Sequence, residues 1–191
     1  LCSLPELGEY LLHDDSRIPG ADTHMLTGHS LEALWLVAAE ALRWKDQAMF
    51  EKLVGRIRHL LEMTYDYVFE GLGDGDYFMF EGPKHGPGPD FSVKTMWAHC
   101  EALVATMMAL EHTGATWAAE WYARLRAFTL RVMAVRDCGV WRQAVNRMGN
   151  DVKRVGVSTK RKDNFHQVRY LMMNLLSLER MLARCPDRHD R

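Results

Sequence analysis

Thr27-Gly28-His29-Ser30-Leu31-Glu32-Ala33-Leu34-Trp35 sets the pattern of this chain. Apolar residues at Leu31, Leu34, Trp35 and Ala38 recur at helical spacing to about Trp44, and Thr27 stands where a helix N-cap is wanted. Two later stretches begin a helix in the same way. They read Lys94-Thr95-Met96-Trp97-Ala98-His99-Cys100-Glu101-Ala102-Leu103 and Asn164-Phe165-His166-Gln167-Val168-Arg169-Tyr170-Leu171. Each puts a histidine beside a carboxylate or an arginine, and the histidines are 70 and 67 positions apart. A fixed period means one structural unit used repeatedly. A titratable group recurring in each unit implies that the units converge on one pocket.

Working outward, a second helix is predicted from about Asp46 to Phe69, a third from about Ser92 to His112, a fourth from about Thr116 to Val135 and a fifth from about Phe165 to Arg184. Between the second and third, residues 71–90 hold six Gly and three Pro, which excludes helix. Tyr77 to Phe80 inside that stretch can form a short strand, and His85 reads as a solvated loop residue. Residues 138–157 read as a hairpin with its turn at Met148-Gly149-Asn150-Asp151. The unit is helix, helix, long loop, and two full hairpins plus the first helix of a third are visible. Paired helices of this kind build open solenoids or closed toroids. A six-hairpin toroid at this period needs roughly 400 residues, about twice the 191 present.

The composition suits one domain with a sizeable core, because 48% of the residues are hydrophobic. A net charge of −1 gives no electrostatic case for nucleic acid or an anionic membrane. No apolar run approaches the ~18 residues of a membrane span. The four cysteines are scattered without a CxxC, which points to a reducing, cytoplasmic setting. Twelve methionines read as core filler between helices.

His29 and Glu32, three residues apart, share a face of the first helix. The positive end of the helix dipole favours neutral imidazole, the form that accepts a proton. On spacing alone, a capping histidine beside a solvated glutamate competes with this. His166 repeats the situation with Arg169 one turn on, a residue suited to an oxyanion or a sugar hydroxyl; a surface ion pair is the competing reading. Lys94, Trp97 and Glu101 fall on one face of the third helix, and His99 points elsewhere. An indole packs on the apolar face of a sugar ring while a carboxylate takes hydroxyls. The alternative is Trp97 in the core and Glu101 as the buried partner of a nearby histidine. His-x-x-Glu is not HExxH, no Cys/His cluster has zinc spacing, and there is no P-loop, GxGxxG or GxSxG, so neither a metal nor a cofactor is expected.

Together these segments resemble the N-acylglucosamine 2-epimerase family, which includes the renin-binding proteins, cellobiose 2-epimerases and related mannose and sulfoquinovose isomerases. Gly28 to Ala33 is similar to the family's GHxxEA segment, and Lys94 to Leu103 to its K-x-W-W-x-[QH]-x-E-A segment. Asn164 to Arg169 is similar to its FHxPR segment, and the hairpin around Trp141 falls where the family has one. The resemblance covers about residues 20–184. It implies an all-α fold, an (α/α)6 toroid with short β-hairpin insertions. Residues 1–191 would be a single partial domain, the C-terminal half of that ring. It implies a sugar 2-epimerase or aldose–ketose isomerase acting at C2 of an open-chain sugar through an enediolate. His29 and His166 would be base and acid, and Glu101 would orient or pair with a histidine. Glu32, Trp97 and Arg169 would line the pocket, with Lys94 beside them.

The chain also departs from that pattern. Met96 replaces the first Trp of the pair, Val168 replaces a Pro, and Thr159 to Asp163 is more basic than the family's Lys-Gly stretch. The family's N-terminal half contributes an arginine that nothing here replaces. A lone half leaves its inner helices open on one side, so a truncated product, a fragment of a longer chain or a homodimer that rebuilds a ring is expected. Two other readings stay open. One is an inactive relic acting as a helical interaction module. The other is a toroid glycosidase using Glu32 and Glu101, which requires two facing carboxylates.

Overall fold

The computed structural model describes residues 27–73, 93–135, 139, 141–152 and 165–184. Among them run five α-helices: α1 (Thr27–Arg43), α2 (Gln47–Thr64), α3 (Met96–Thr113), α4 (Thr116–Phe128) and α5 (His166–Ala183). Two three-residue strands, β1 (Val93–Thr95) and β2 (Ala144–Asn146), pair antiparallel with Lys94 opposite Val145. The expected Asn164 cap, the 77–80 strand, His85 and the basic 159–163 stretch lie outside the described residues.

Local chemistry sets the helix ends. The Asp46 carboxylate accepts from the Met49 amide at 3.0 Å and starts α2. Gly114, at φ +64, ends α3 in the left-handed conformation that costs glycine least. Three boundaries differ from the sequence expectation. The second helix stops at Thr64 rather than near Phe69, because Asp66 accepts from the Val68 and Phe69 amides and turns the chain. The third begins at Met96 rather than Ser92, because residues 93–95 pair with β2 instead. α4 gives way at Phe128 to a π-helical turn, Thr129–Met133, which ends two residues before the expected Val135. Of the expected 138–157 hairpin, the described residues show a turn at Asn146–Asn150 and a bridge from Val145 to Asp151, and residues 153–157 lie outside them. The main ladder of Val145 is with β1, a partner that hairpin spacing does not reveal.

α1, α3 and α5 lie side by side, with α2 backing α1 and α4 backing α3. The middle helix is buried all round: fourteen of the 18 residues of α3 are buried. Leu31, Phe50, Ile57, Leu61, Leu103, Leu125 and Phe128 pack in one core shared by the first four helices. No helix among the described residues is long and apolar enough to cross a membrane.

A second, polar knot fixes the loop after α2. Lys94 is fully buried, and its ammonium donates to the carbonyls of Phe69 (3.3 Å), Glu70 and Arg147 (2.9 Å) and lies 3.2 Å from Asp66. A buried lone ammonium costs several kcal/mol, so these oxygens are what make the position tolerable. Burial opposes the charge on Asp66. Bonds from Arg147 and the Phe69 and Val68 amides, with Lys94 nearby, outweigh it and hold the carboxyl down to about 2. His99, also fully buried, tethers the loop from the other side. Its Nε2 accepts the Leu72 amide at 2.9 Å and its Nδ1 lies 2.6 Å from the Thr95 carbonyl. An amide can only donate, so the ring is neutral with its proton on Nδ1. Burial pushes its pKa down to about 4 despite the bond to Thr95, and the Lys94 charge acts in the same direction as burial.

Between the ordinary histidine value of 6.5 and about 4, the unfolded chain binds a proton that the folded chain does not. Stability therefore falls as pH falls through that window, by at most roughly 3 kcal/mol at its lower end. His112, lowered by burial, contributes with the same sign. Urea titrations from about pH 7 to about pH 4.5 should give His99→Gln a shallower dependence than the wild type. Identical slopes would exclude His99 as the responsible group.

Candidate active site

The N-terminal turns of α1, α3 and α5 come together at one end of the row, so the three helices run parallel. Trp97, the second residue of α3, lies between the two imidazoles, its ring centroid 4.9 Å from that of His29 and 5.5 Å from that of His166. The fit depends on Gly28. A Cβ at that position would fall 2.3 Å from the Trp97 ring, closer than atoms can approach, so α1 and the indole meet this tightly only over a bare backbone.

One turn deeper, Glu101 is fully buried. Its Oε2 accepts from the Trp35 indole at 2.8 Å. Its Oε1 accepts from His166 Nδ1 at 2.7 Å and Arg169 Nη2 at 2.6 Å. Burial alone would raise its pKa, but the bonds from His166, Arg169 and Trp35 prevail and hold the carboxyl below the usual carboxylate range. An ionised carboxylate only accepts hydrogen bonds. His166 Nδ1 therefore carries a proton and donates it to Glu101.

Arg169 ties the same group to α1. Its Nη2 is also 2.5 Å from Glu32 Oε1, and its guanidinium lies over the rings of Trp35 (5.2 Å) and Phe165 (4.2 Å). Burial works against the arginine's charge, and the bonds to Glu101 and Glu32 more than offset it. Donor atoms of Glu32, Glu101 and His166 lie within 4.8 Å of one another, close enough to hold a metal ion. The guanidinium of Arg169 already supplies a positive charge to both carboxylates.

Of the residues singled out in the sequence, His29, Glu32, Trp97, Glu101, His166 and Arg169 are brought together. Lys94 is not: it belongs to β1, and its ammonium is engaged by loop carbonyls and Asp66, so it presents nothing to the pocket. His99 does not join either; α3 contributes Trp97 and Glu101. Sequence reasoning missed Trp35, which counted only as an apolar position. Its signal was spacing, because it follows Glu32 by the same three residues that separate Glu32 from His29.

Trp35→Phe keeps the ring and removes only the donor to Glu101. Leaving that buried oxygen without its partner should cost about 1–3 kcal/mol in chemical denaturation. A change below about 0.5 kcal/mol would show that the bond contributes little. Gly28→Ala should destabilise by a similar ~1–3 kcal/mol through overpacking against Trp97, and a neutral result in the same assay would mean that the indole moves aside at no cost.

Comparison with curated proteins returns no match. The sequence pattern of the family described as N-acylglucosamine 2-epimerase (GlcNAc 2-epimerase) matches residues 6–168. Among solved structures, the cellobiose 2-epimerase of Bacillus thermoamylovorans B4167 is similar, with a TM-score of 0.70 at 13% identity over 92% of this chain and 44% of that one. The cellobiose 2-epimerase of Spirochaeta thermophila DSM 6192 gives 0.68 at 17% identity over 93% and 42%. A D-mannose isomerase gives 0.61 at 16% identity over 83% and 38%. At such identities the likeness carries the fold, part of an (α/α)6 toroid. This chain spans less than half the length of these proteins. The family pattern runs across most of the sequence and includes His29, Glu101 and His166, and the chain belongs to the N-acylglucosamine 2-epimerase family.

Proposed function

We propose that this chain carries the acid–base half of a sugar 2-epimerase or aldose–ketose isomerase, corresponding to the C-terminal half of the family fold. The observation that carries the reading is the pair of imidazoles flanking Trp97, one of them fixed by a buried carboxylate. In the proposed reaction an open-chain sugar lies against the indole. One histidine removes the C2 proton and the electrons move into an enediolate. The other histidine returns a proton to the opposite face of C2, giving the epimer. Return at C1 instead gives the ketose. Glu101 serves by keeping the His166 proton on Nδ1, so that Nε2 exchanges the proton with substrate. Glu32 and Arg169 form the polar wall. The partner is a small-molecule sugar, and no cofactor enters the scheme. The Cys100 thiol, buried 3.4 Å from Met96 Sδ, is in keeping with the reducing, cytoplasmic setting that belongs to this reading.

The glycosidase alternative draws no support from the site, because Glu32 and Glu101 share one guanidinium and Glu101 is fully buried. The inactive-relic reading differs in one respect only, turnover.

Proton NMR in deuterated buffer, on N-acetylmannosamine, N-acetylglucosamine, mannose, glucose and cellobiose, tests the proposal. Loss of the C2 proton signal of one sugar is expected, and the product peaks separate epimer from ketose. His166→Ala and His29→Ala should each slow that exchange by about 100-fold or more while leaving the helical signal intact. Retention of every C2 proton by the wild type, or full exchange in His166→Ala, would overturn the mechanism.

A further inference from the structure

The two oxygens of Glu101 are held unequally. Oε1 is shared by His166 Nδ1 at 2.7 Å and Arg169 Nη2 at 2.6 Å. Oε2 has a single donor among the described residues, the Trp35 indole at 2.8 Å. Arg169 in turn directs the two hydrogens of Nη2 at Glu101 and at Glu32, 2.5 Å away. Its Nε–H is buried and meets no acceptor.

That unused donor sets up a competition. Nε and the adjoining Nη2 form a fork that takes a carboxylate by both oxygens, the strongest pairing an arginine makes. A buried N–H without an acceptor is costly, so Arg169 draws Glu101 toward giving one oxygen to each arm. The two oxygens sit on one carbon. Swinging Oε2 to Nε therefore swings Oε1 off the line of the His166 Nδ1–H, and a hydrogen bond weakens steeply out of line. The fork stays half used because Oε2 is already held by Trp35. The indole touches both competitors: its face lies 5.2 Å from the Arg169 guanidinium and its edge donates to Glu101. Trp35 is 4% exposed, so solvent offers no substitute donor.

We propose that Trp35 is a positioning residue: its indole N–H pins Glu101 Oε2 and so reserves Oε1 for His166, where an unpinned carboxylate would turn to both arms of Arg169. His166, on α5, keeps its proton on Nδ1 because an indole on α1 sets the angle of a carboxylate on α3. Trp35 reaches the chemistry only through Glu101 and touches no substrate. Its consequence for catalysis rests on the proton-transfer reading above; its effect on the His166 tautomer does not.

Two-bond proton–nitrogen correlation spectra of the nine histidines read the tautomer without turnover. They are recorded on the full chain at about pH 8, where a free imidazole is neutral. The His166 resonances are identified by their loss in His166→Gln. In the wild type they should show the proton on Nδ1. In Trp35→Phe, which keeps a ring under Arg169 and removes the donor, they should show a mixture of the two tautomers with unchanged far-UV circular dichroism. Should that variant lose helical signal, benzothienylalanine at position 35, with the outline of an indole and no N–H, takes its place. Adding Arg169→Lys to Trp35→Phe removes the fork and should return the wild-type pattern. On a sugar whose C2 proton the wild type exchanges, Trp35→Phe should lower kcat about 10-fold or more and leave KM within about two-fold. A wild type already mixed in tautomer, or a His166 pattern unchanged in Trp35→Phe, overturns the proposal. So does a mixed pattern that Arg169→Lys does not reverse. A wild type that exchanges no sugar proton would strike the reaction alone, because the tautomer spectra decide the role of Trp35 without it.

Discussion

Glu101 lies in the second turn of the most buried of the described helices, where an ionised carboxylate is tolerated only if its lone pairs are met. Trp35 from α1 and His166 and Arg169 from α5 meet them. One side chain thereby sets the spacing of three helices and the tautomer of one histidine. Removing a single donor leaves an uncompensated charge in the core, and this is why the parts of the site behave as a unit. Packing brings α1 and α5 up against α3; the carboxylate decides their register at the end where the chemistry sits.

The second polar cluster works by the same physics but serves architecture. Asp66, Lys94, Arg147 and His99 convert the loop after α2 and the edge of β1 into one rigid piece. Asp66 pairs with both Lys94 and Arg147, backbone carbonyls take the rest of the Lys94 ammonium, and these bonds hold Lys94 away from the pocket of His29 and His166. Because β1 runs directly into α3, the cluster also holds the turn that presents Trp97 to the two imidazoles. Site and scaffold thus use similar residue types, and only their neighbours tell them apart.

Among the described residues, the row of three inner helices is buried at its middle and more exposed at its two ends. A helix that buries fourteen of 18 residues and one that buries three cannot have the same complement of neighbours, although they occupy equivalent places in the repeat. The pocket shares this asymmetry, since its residues come from the three helix starts on one side.

The repeat of Gly28-His29, Trp97-Ala98-His99 and Phe165-His166 at helix starts was enough to read paired helices, an all-α fold and the family, because apolar periodicity and short motifs are local properties of the chain. The same motifs named His29, Glu101 and His166. Periodicity, however, says only that two residues share a face, and it gives no partner across the fold. It put Lys94 on the face of Trp97, whereas pairing with Val145, 51 residues away, drew Lys94 into a strand and turned its ammonium onto a loop. It made Trp35 an ordinary core residue, although its indole nitrogen fixes Glu101 from 66 positions away. It set His99 on a different face from Glu101 but could not name its partners, which are the Leu72 amide and the Thr95 carbonyl. The sequence by itself determined which segments are helical and which residue types recur at their starts. Tertiary structure alone decided which of those residues meet, because hydrogen-bond partners and desolvation depend on neighbours that lie far away in the chain.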